Sequence, residues 1–283
     1  MNITDSLRQE IHIILLFHIP CLLMLTALTT YIMLKTPKGA LKRSYQYLVS
    51  TIFVWLIAKI LKTVSPTLEL RWFFVVIQYL GIQFLGFAMF LFAYTYTHKK
   101  YPPKGLLLVL VSLSGLGFII VASNPFHYLF YRYFTFYKDA FGPLFLPLQS
   151  IQYVYMIISI AMLGKHYIQD ESRKPQRKLA RLLGIVTLLP LIANLYYIMF
   201  KVIDIPWIFS FPVFDITPVA ISLSLTLFLI PAVNHRFLDI LPLSYQKLID
   251  HLNQPIAYAT RHHLIYAYNA AFSDAFPHIT YGA

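Results

Sequence analysis

The amino-acid sequence predicts an all-α membrane protein, a bundle of seven transmembrane helices followed by a short α+β tail. Two observations carry this prediction. Hydrophobic residues make up 58% of the 283-residue chain and charged residues only 12%, about half the charged share of a typical soluble domain. The apolar residues also form long runs bounded by charge or proline, and about 20 such residues cross a hydrocarbon core of about 30 Å.

Seven runs are long enough to span the membrane. The first follows a polar start that lacks a basic leader and a small-residue cleavage site, so we expect a permanent span rather than a removable signal peptide. The spans are predicted at residues 11–34, 44–64, 72–97, 105–122, 143–165, 182–203 and 213–234.

Basic residues lie mainly on one side of this predicted membrane domain. Sixteen of the 23 Lys and Arg belong to the tail or to the connections that follow the first, third and fifth spans, and such an excess marks the cytoplasmic side. The N-terminus is therefore expected outside and the C-terminus inside. The same residues touch anionic lipid headgroups, so a formal charge of +12 does not by itself indicate nucleic-acid binding.

The longest outer connection, residues 122–142, is crowded with Phe and Tyr around Arg132, Lys138 and Asp139. Aromatic rings with polar edges settle at the headgroup level, which favours an interfacial belt. A lid over an outward-facing pocket is the alternative interpretation.

Polar side chains within the spans are the candidates for function, because the bilayer offers them no water and each needs a partner. The predicted topology places one group in or next to the outer half of the membrane, where it forms a candidate ligand site. This group comprises Gln78, Asn124, His127, Gln149, Gln152 and Asp215. The alternative is that these amides only hydrogen-bond between helices as packing contacts. Lys59 and Lys62 are expected to reach the headgroups and receive no function.

Several chemistries are disfavoured by what the sequence lacks. The last span holds no lysine for a retinal Schiff base, and Gly282 is the only glycine after Gly184, so no phosphate-binding loop is predicted in the tail. His12 and His18 are six residues apart, a spacing that does not suit a helical metal site. No cofactor or metal is expected.

The tail differs in character from the spans. We divide the chain into a membrane domain, residues 1–235, and a cytoplasmic piece, residues 236–283. In this piece Pro242–Leu252 is predicted as an amphipathic helix, Pro255–Thr260 and Leu264–Tyr268 as strands, and Arg261–His263 as the turn between them.

Ordered motifs along the chain carry a resemblance. They are Tyr79-Leu80-Gly81-Ile82 and Phe92-Ala93-Tyr94-Thr95, Ser123-Asn124-Pro125-Phe126-His127, Leu189-Pro190 with Asn194, Phe214-Asp215-Ile216-Thr217-Pro218, and His235-Arg236-Phe237-Leu238-Asp239-Ile240-Leu241-Pro242. In this order they resemble the N-terminal seven-helix sensor region of bacterial sensor histidine kinases. The tail is similar to the opening hairpin of a PAS domain, in which the asparagine after the second strand, here Asn269, starts the next helix.

The resemblance implies a sensory module in the bacterial cytoplasmic membrane that detects a small extracellular or intramembrane ligand. The signal would leave through Arg236, Asp239 and Pro242 towards a cytoplasmic output domain absent from this chain. A homodimer and a kinase or response-regulator pathway are the implied partners. The chain itself is not expected to be an enzyme, because the phosphoacceptor helix and ATP-binding domain of a kinase are missing.

Other interpretations remain open at this point. A small-molecule transporter or permease would use the same outer polar groups as a substrate path. The unfinished PAS-like start also fits a split sensor or a truncated remnant.

Overall fold

The computed structural model describes residues 11–12, 14–35, 39–135, 139–169, 188–199, 216–217, 219–224, 252–259 and 265–278. Five of the described helices are long and apolar enough to cross a membrane: Leu16–Leu34, Ala40–Val64, Leu68–His98, Lys104–Ala122 and Phe145–Lys165. They coincide with the first five predicted spans. The last two predicted spans are described in part, as the apolar helix Leu188–Tyr197 and helical residues 219–224.

The helices are labelled in chain order. They are α1 (Ile19–Lys35), preceded by a π-helical turn (Ile14–His18), α2 (Ala40–Val64), α3 (Leu68–His98), α4 (Lys104–Ala122), α5 (Phe145–Gln169) and α6 (Leu188–Tyr197).

The longest helix, α3, has well-defined ends. The Thr67 hydroxyl accepts a hydrogen bond from the Leu70 N–H at 3.3 Å, and Glu69 places a negative charge in the first turn, where the helix dipole favours it. The helix ends at Lys99, which adopts a left-handed conformation with φ 58°. The first turn contains the charged residues Glu69 and Arg71. The span predicted from the apolar run at 72–97 therefore begins four residues after the helix does.

Close helix packing centres on α3, which contacts α2, α4 and α5. Gly81 lies against the backbone of α2, and Gly86 lies against Gln152 of α5. On α4, Gly117 lies against the Gln83 side chain of α3. Lipid tails are as apolar as the helices, so helices in a membrane associate through such close contacts and through hydrogen bonds rather than through hydrophobic burial. The glycines therefore fix the spacing of four spans.

A short β-hairpin follows α4 and was not predicted from the sequence. One helical turn, Asn124–His127, leads into β1 (Tyr131–Phe134), which pairs antiparallel with β2 (Asp139–Phe141) in the register Tyr133↔Ala140 and Phe134↔Asp139. Strands of three and four residues are too short to show an alternating pattern among so many aromatic residues. We call this side of the bundle the hairpin end.

The tail contains the predicted second hairpin. Strands β3 (Ala257–Ala259) and β4 (Ile265–Tyr268) pair antiparallel, within the two predicted strand segments. Asn269 caps the following helix, Ala270–Ala275, by accepting a hydrogen bond from the Phe272 N–H at 2.9 Å. The same side chain donates to the Leu252 and Gln254 carbonyls. Most of the predicted helix Pro242–Leu252 lies outside the described residues.

Replacing Gly81 with alanine should destabilise the bundle. A Cβ there would lie 2.5 Å from the Thr51 carbonyl oxygen and 2.8 Å from the Trp55 nitrogen, and backbone atoms cannot rotate away. We expect a loss of about 1–3 kcal/mol, which lowers the Tm of the purified protein in detergent by about 2–10 °C. Gly115→Ala is the matched control, because nothing lies within 4 Å of its added Cβ. Equal Tm values for the two variants would contradict the close α2–α3 packing.

Candidate functional site

A polar cavity lies between the helices at the hairpin end. It has a volume of about 90 Å³, and its walls come from α2, α3, the β1–β2 hairpin, α5, α6 and residues 217 and 221. Its polar lining consists of Lys59, Lys62, Gln78, Tyr79, Tyr131, Asp139, Gln149, Gln152, Tyr153, Asn194, Tyr197 and Thr217. Concentration of so many polar groups at one place in a membrane protein is the usual mark of a functional site.

A chain of side-chain hydrogen bonds joins three segments along the cavity wall. The Gln149 amide of α5 donates to Asn194 Oδ1 of α6 at 3.3 Å, and the Tyr153 hydroxyl donates to the same oxygen. Asn194 Nδ2 in turn donates to the Thr217 hydroxyl at 3.2 Å. A change at Gln149 can therefore reach Thr217 through two hydrogen bonds.

Gln152 ties α5 to the backbone of α3. Its Nε2 donates to the Gln83 carbonyl at 3.0 Å and to Gln83 Oε1 at 3.3 Å, and its Oε1 accepts from the Gly86 N–H at 3.1 Å. A Cβ added at position 86 would lie 2.5 Å from that Oε1 atom and 3.1 Å from the Gln152 carbonyl oxygen, so the Gln152 side chain would have to move and its bond to the Gly86 N–H would be disturbed. Gln152 is 4% exposed, and three bonds use both ends of its amide.

Gln78 differs from the other amides in the wall. It is 8% exposed, and its Oε1 atom is buried without a hydrogen-bond partner. A buried acceptor left unpaired costs about 1–3 kcal/mol. Among the predicted site residues described by the structure, Gln78 is the one with a buried acceptor atom that has no hydrogen-bond partner.

Charges of both signs line the same cavity. Lys59 and Lys62 contribute from α2 and Asp139 from β2, and Lys59 is only 8% exposed. This position corrects the expectation that Lys59 reaches the headgroups. The signal in the sequence was the spacing of Trp55, Lys59 and Lys62, because steps of four and three residues keep all three on one helix face.

The hairpin closes the cavity with aromatic residues. The Tyr131 hydroxyl lies 3.1 Å from the Tyr79 hydroxyl of α3, and the Tyr131 ring packs edge-on against Trp72 and Phe134. Burial, with a smaller contribution from Tyr79, raises the pKa of Tyr131 well above its ordinary value, so its hydroxyl keeps its proton. Other rings of the connection are exposed, notably Phe126 at 89%. The hairpin thus has one face over the cavity and another facing outwards.

Two predicted site residues lie outside the cavity lining, and one of them, Asn124, holds the hairpin. Asn124 Oδ1 accepts from the Phe130 and Tyr131 N–H groups, both at 2.9 Å, and its Nδ2 donates to the Tyr131 carbonyl at 3.1 Å. His127 makes only short-range bonds, accepting from the Leu129 N–H at Nδ1 and pairing with the Ser123 hydroxyl. Neither residue is part of the cavity lining.

The structure therefore brings Gln78, Gln149 and Gln152 together and separates them from Asn124 and His127. Asp215, Arg236, Asp239 and Pro242 lie outside the described residues. Sequence reasoning missed Tyr79, Tyr131 and Thr217, since tyrosines are common at membrane surfaces and a single threonine carries no signal. Asn194 was visible as a polar group in a span. In the described part of the chain, no group of three or more His, Cys, Asp or Glu residues could hold a metal ion.

Comparison with known families identifies a family for most of the chain. The family described as the N-terminal 7TM region of histidine kinase matches residues 13–242, from the start of the first helix to beyond helical residues 219–224. No curated protein and no solved structure matches the chain. The resemblance found in the sequence motifs is thereby confirmed, and the matched region ends before the tail hairpin.

Replacing Asn124 with alanine should loosen the hairpin. The substitution removes the acceptor of the buried Phe130 and Tyr131 N–H groups, and each N–H group left without a partner costs about 1–3 kcal/mol. Because the hairpin then opens more often, we expect trypsin to cleave the chain after the exposed Arg132 at least about tenfold faster. Asn124→Asp keeps the accepting oxygen, so trypsin should cleave this variant far more slowly than Asn124→Ala. Asn253→Ala, at an exposed position in the tail, is the control. The cleavage rate is measured by mass spectrometry. An unchanged rate in Asn124→Ala would contradict the conclusion that Asn124 holds the hairpin.

Proposed function

The chain belongs to the family of N-terminal 7TM regions of histidine kinases, and we propose that its hairpin-end cavity binds a small ligand whose presence changes the position of the last span. The family is a sensor region and not the catalytic core of a kinase. The proposed role is therefore detection and transmission, with phosphoryl transfer carried out by a kinase domain outside the matched region.

The observation that carries this proposal is the composition of the cavity wall. The lining contains Thr217 and Ile221, next to or within helical residues 219–224, together with residues of α2 and α3. Ile221 also packs in the apolar core formed by α1, α2 and α3. A ligand in the cavity thus touches both the fixed part of the bundle and the segment that leads towards the tail.

A ligand shifts a protein between two conformations only if it binds one of them more tightly. The hydrogen bonds from Gln149 to Asn194 and from Asn194 to Thr217 provide contacts that can differ between two states. Gln152, with its bonds to α3, stays with the fixed part. Asp215 is two residues before Thr217 in the sequence, which supports its retention as a candidate ligand contact.

The charge distribution supports an arrangement with seven spans, the N-terminus outside and the C-terminus inside. In this orientation the hairpin end faces outwards, and β1–β2 acts as a lid through Tyr131 and Phe134 while the exposed rings lie at the headgroups. The bacterial cytoplasmic membrane is the proposed location.

The proposed signal path continues through the membrane exit at Arg236, Asp239 and Pro242 to a cytoplasmic piece that begins near residue 236. The hairpin β3–β4 and the Asn269 cap support the interpretation of this piece as the start of a PAS domain. A homodimer, and a kinase or response-regulator pathway, are the proposed partners. The family match favours this sensor over a transporter or permease.

Replacing Thr217 with valine should alter signalling while preserving side-chain shape. It removes the hydroxyl that accepts from Asn194, and hydrogen bonds between membrane helices average about 0.6 kcal/mol. We expect about a threefold change in the ratio of active to inactive protein, measured as autophosphorylation of a kinase core joined to the full chain. Thr26→Val is the control, because the exposed Thr26 hydroxyl bonds only to the Leu22 carbonyl of its own helix. Equal autophosphorylation in both variants and the parent chain would oppose the proposed path.

A further inference from the structure

We infer that the hairpin-end cavity takes a small zwitterion that carries an ammonium and a carboxylate group, such as a free α-amino acid. This inference rests on the proposed function of the cavity as a ligand site and adds the chemical class of the ligand. Size, charge and one orphaned acceptor support it in turn.

The first argument is size. An engineered apolar cavity of about 150 Å³ holds benzene, with six non-hydrogen atoms, and the present cavity measures about 90 Å³. At the same volume per atom, the present cavity buries about four non-hydrogen atoms of a ligand. Glycine, with five, is the α-amino acid nearest to this size and alanine has one atom more, whereas lipid chains, sugars and peptides are far larger.

The second argument is charge. Among the described residues that line the cavity, Lys59 and Lys62 are basic and Asp139 is acidic. The basic pair belongs to α2 and the acid to β2, so the two signs come from different segments of the lining. A ligand of one sign is attracted by the residues of opposite charge and repelled by those of like charge, whereas a zwitterion can place each of its charged groups next to an opposite charge. These three side chains already take part in interactions within the chain, so the ligand would join an existing set of charges.

The third argument is the unpaired oxygen of Gln78. This Oε1 atom is buried and accepts no hydrogen bond, and the residue lines the cavity. An ammonium group has three donors and no acceptor, so it can supply the missing partner while its other protons face Asp139. The rings of Tyr79 and Tyr131 in the same wall offer aromatic faces that also attract a cation. A carboxylate at this atom would meet a second acceptor and be repelled.

The test is thermal unfolding of the full chain, purified in detergent, with glycine or alanine and with matched halves of these molecules. Methylamine supplies the ammonium alone and acetate the carboxylate alone. We expect glycine, alanine or both to raise the Tm by about 3 °C or more at saturation, and either half-molecule to produce less than a third of that shift. An equal shift with acetate or methylamine, or no shift with either amino acid, would overturn the inference.

Gln78→Leu tests the proposed contact. The variant should fold, because it replaces an unpaired buried polar group with an apolar one, and it should lose the amino-acid shift. Gln46→Leu is the matched control, since Gln46 is exposed on α2 and outside the cavity lining, and should keep the shift. Asp139→Asn provides a second variant on the hairpin that should also weaken the shift. An undiminished shift in Gln78→Leu would overturn the inference.

A failure of the zwitterion inference can be distinguished from a failure of the proposed function. Thr217→Val affects kinase output whatever the ligand is, so a changed output without an amino-acid shift would reject only the zwitterion. An amino-acid shift with unchanged output would support the ligand class while opposing the signalling path.

Discussion

The packing of the bundle depends on the hydrogen bonds between the Gln152 side chain of α5 and the backbone of α3. A polar amide in the hydrocarbon region needs partners from the protein, and Gln152 finds them at the Gln83 carbonyl and the Gly86 N–H of α3. The bond requires α5 to lie close to α3, and Gly86 leaves room for this approach, since a Cβ there would lie 2.5 Å from Gln152 Oε1. Gly81 brings α2 equally close on another side of α3. Short helix–helix distances around α3 thus hold the bundle together, alongside the apolar core formed by α1, α2 and α3.

This rigid core explains why the cavity lies at the hairpin end. One turn before Gln152, Gln149 turns to α6 and bonds Asn194 rather than α3. A cavity lies between the helices in this region, and the hairpin, held by the three backbone bonds of Asn124, forms part of its lining. Gln149 and Gln152 are three residues apart, yet one belongs to the fixed contact and the other to the hydrogen-bond chain that ends at Thr217. The proposed sensor uses this division, with a fixed wall on α3 and a movable wall beyond α6.

Much of the fold could be predicted from the sequence, because the bilayer imposes a length and a hydropathy that single helices must satisfy by themselves. The first five spans agree with the described helices, and the strands β3 and β4 lie within the segments predicted from their residues, whereas the Asn269 cap was expected from the resemblance to a PAS domain. The β1–β2 hairpin could not be predicted, since its short strands are defined by pairing and by the Asn124 bonds. The orientation and the count of seven spans remain inferences from charge, run length and family.

The role of the candidate site residues in ligand binding stays a prediction. Gln78, Gln149 and Gln152 line the cavity, in agreement with the tendency of polar groups in spans to turn inwards. Asn124 is equally polar, but its Oδ1 and Nδ2 atoms both bond to the backbone of Phe130 and Tyr131. No sequence pattern reveals these bonds. Lys59 and Trp55 are four residues apart and share one helix face. The sequence does not show whether this face is turned towards the other helices. Such assignments depend on contacts between residues far apart in the chain.

The most direct test of the Gln152 contact is a spin-label distance between α3 and α5. Leu80 and Ile157 are exposed on these helices, and both can be replaced by cysteine in a Cys21→Ala background for double electron–electron resonance in lipid nanodiscs. We expect one narrow distance distribution with Gln152 present, and a broader distribution shifted to longer distances in Gln152→Leu. Identical distributions in the two proteins would contradict the conclusion that this side chain holds α5 against α3.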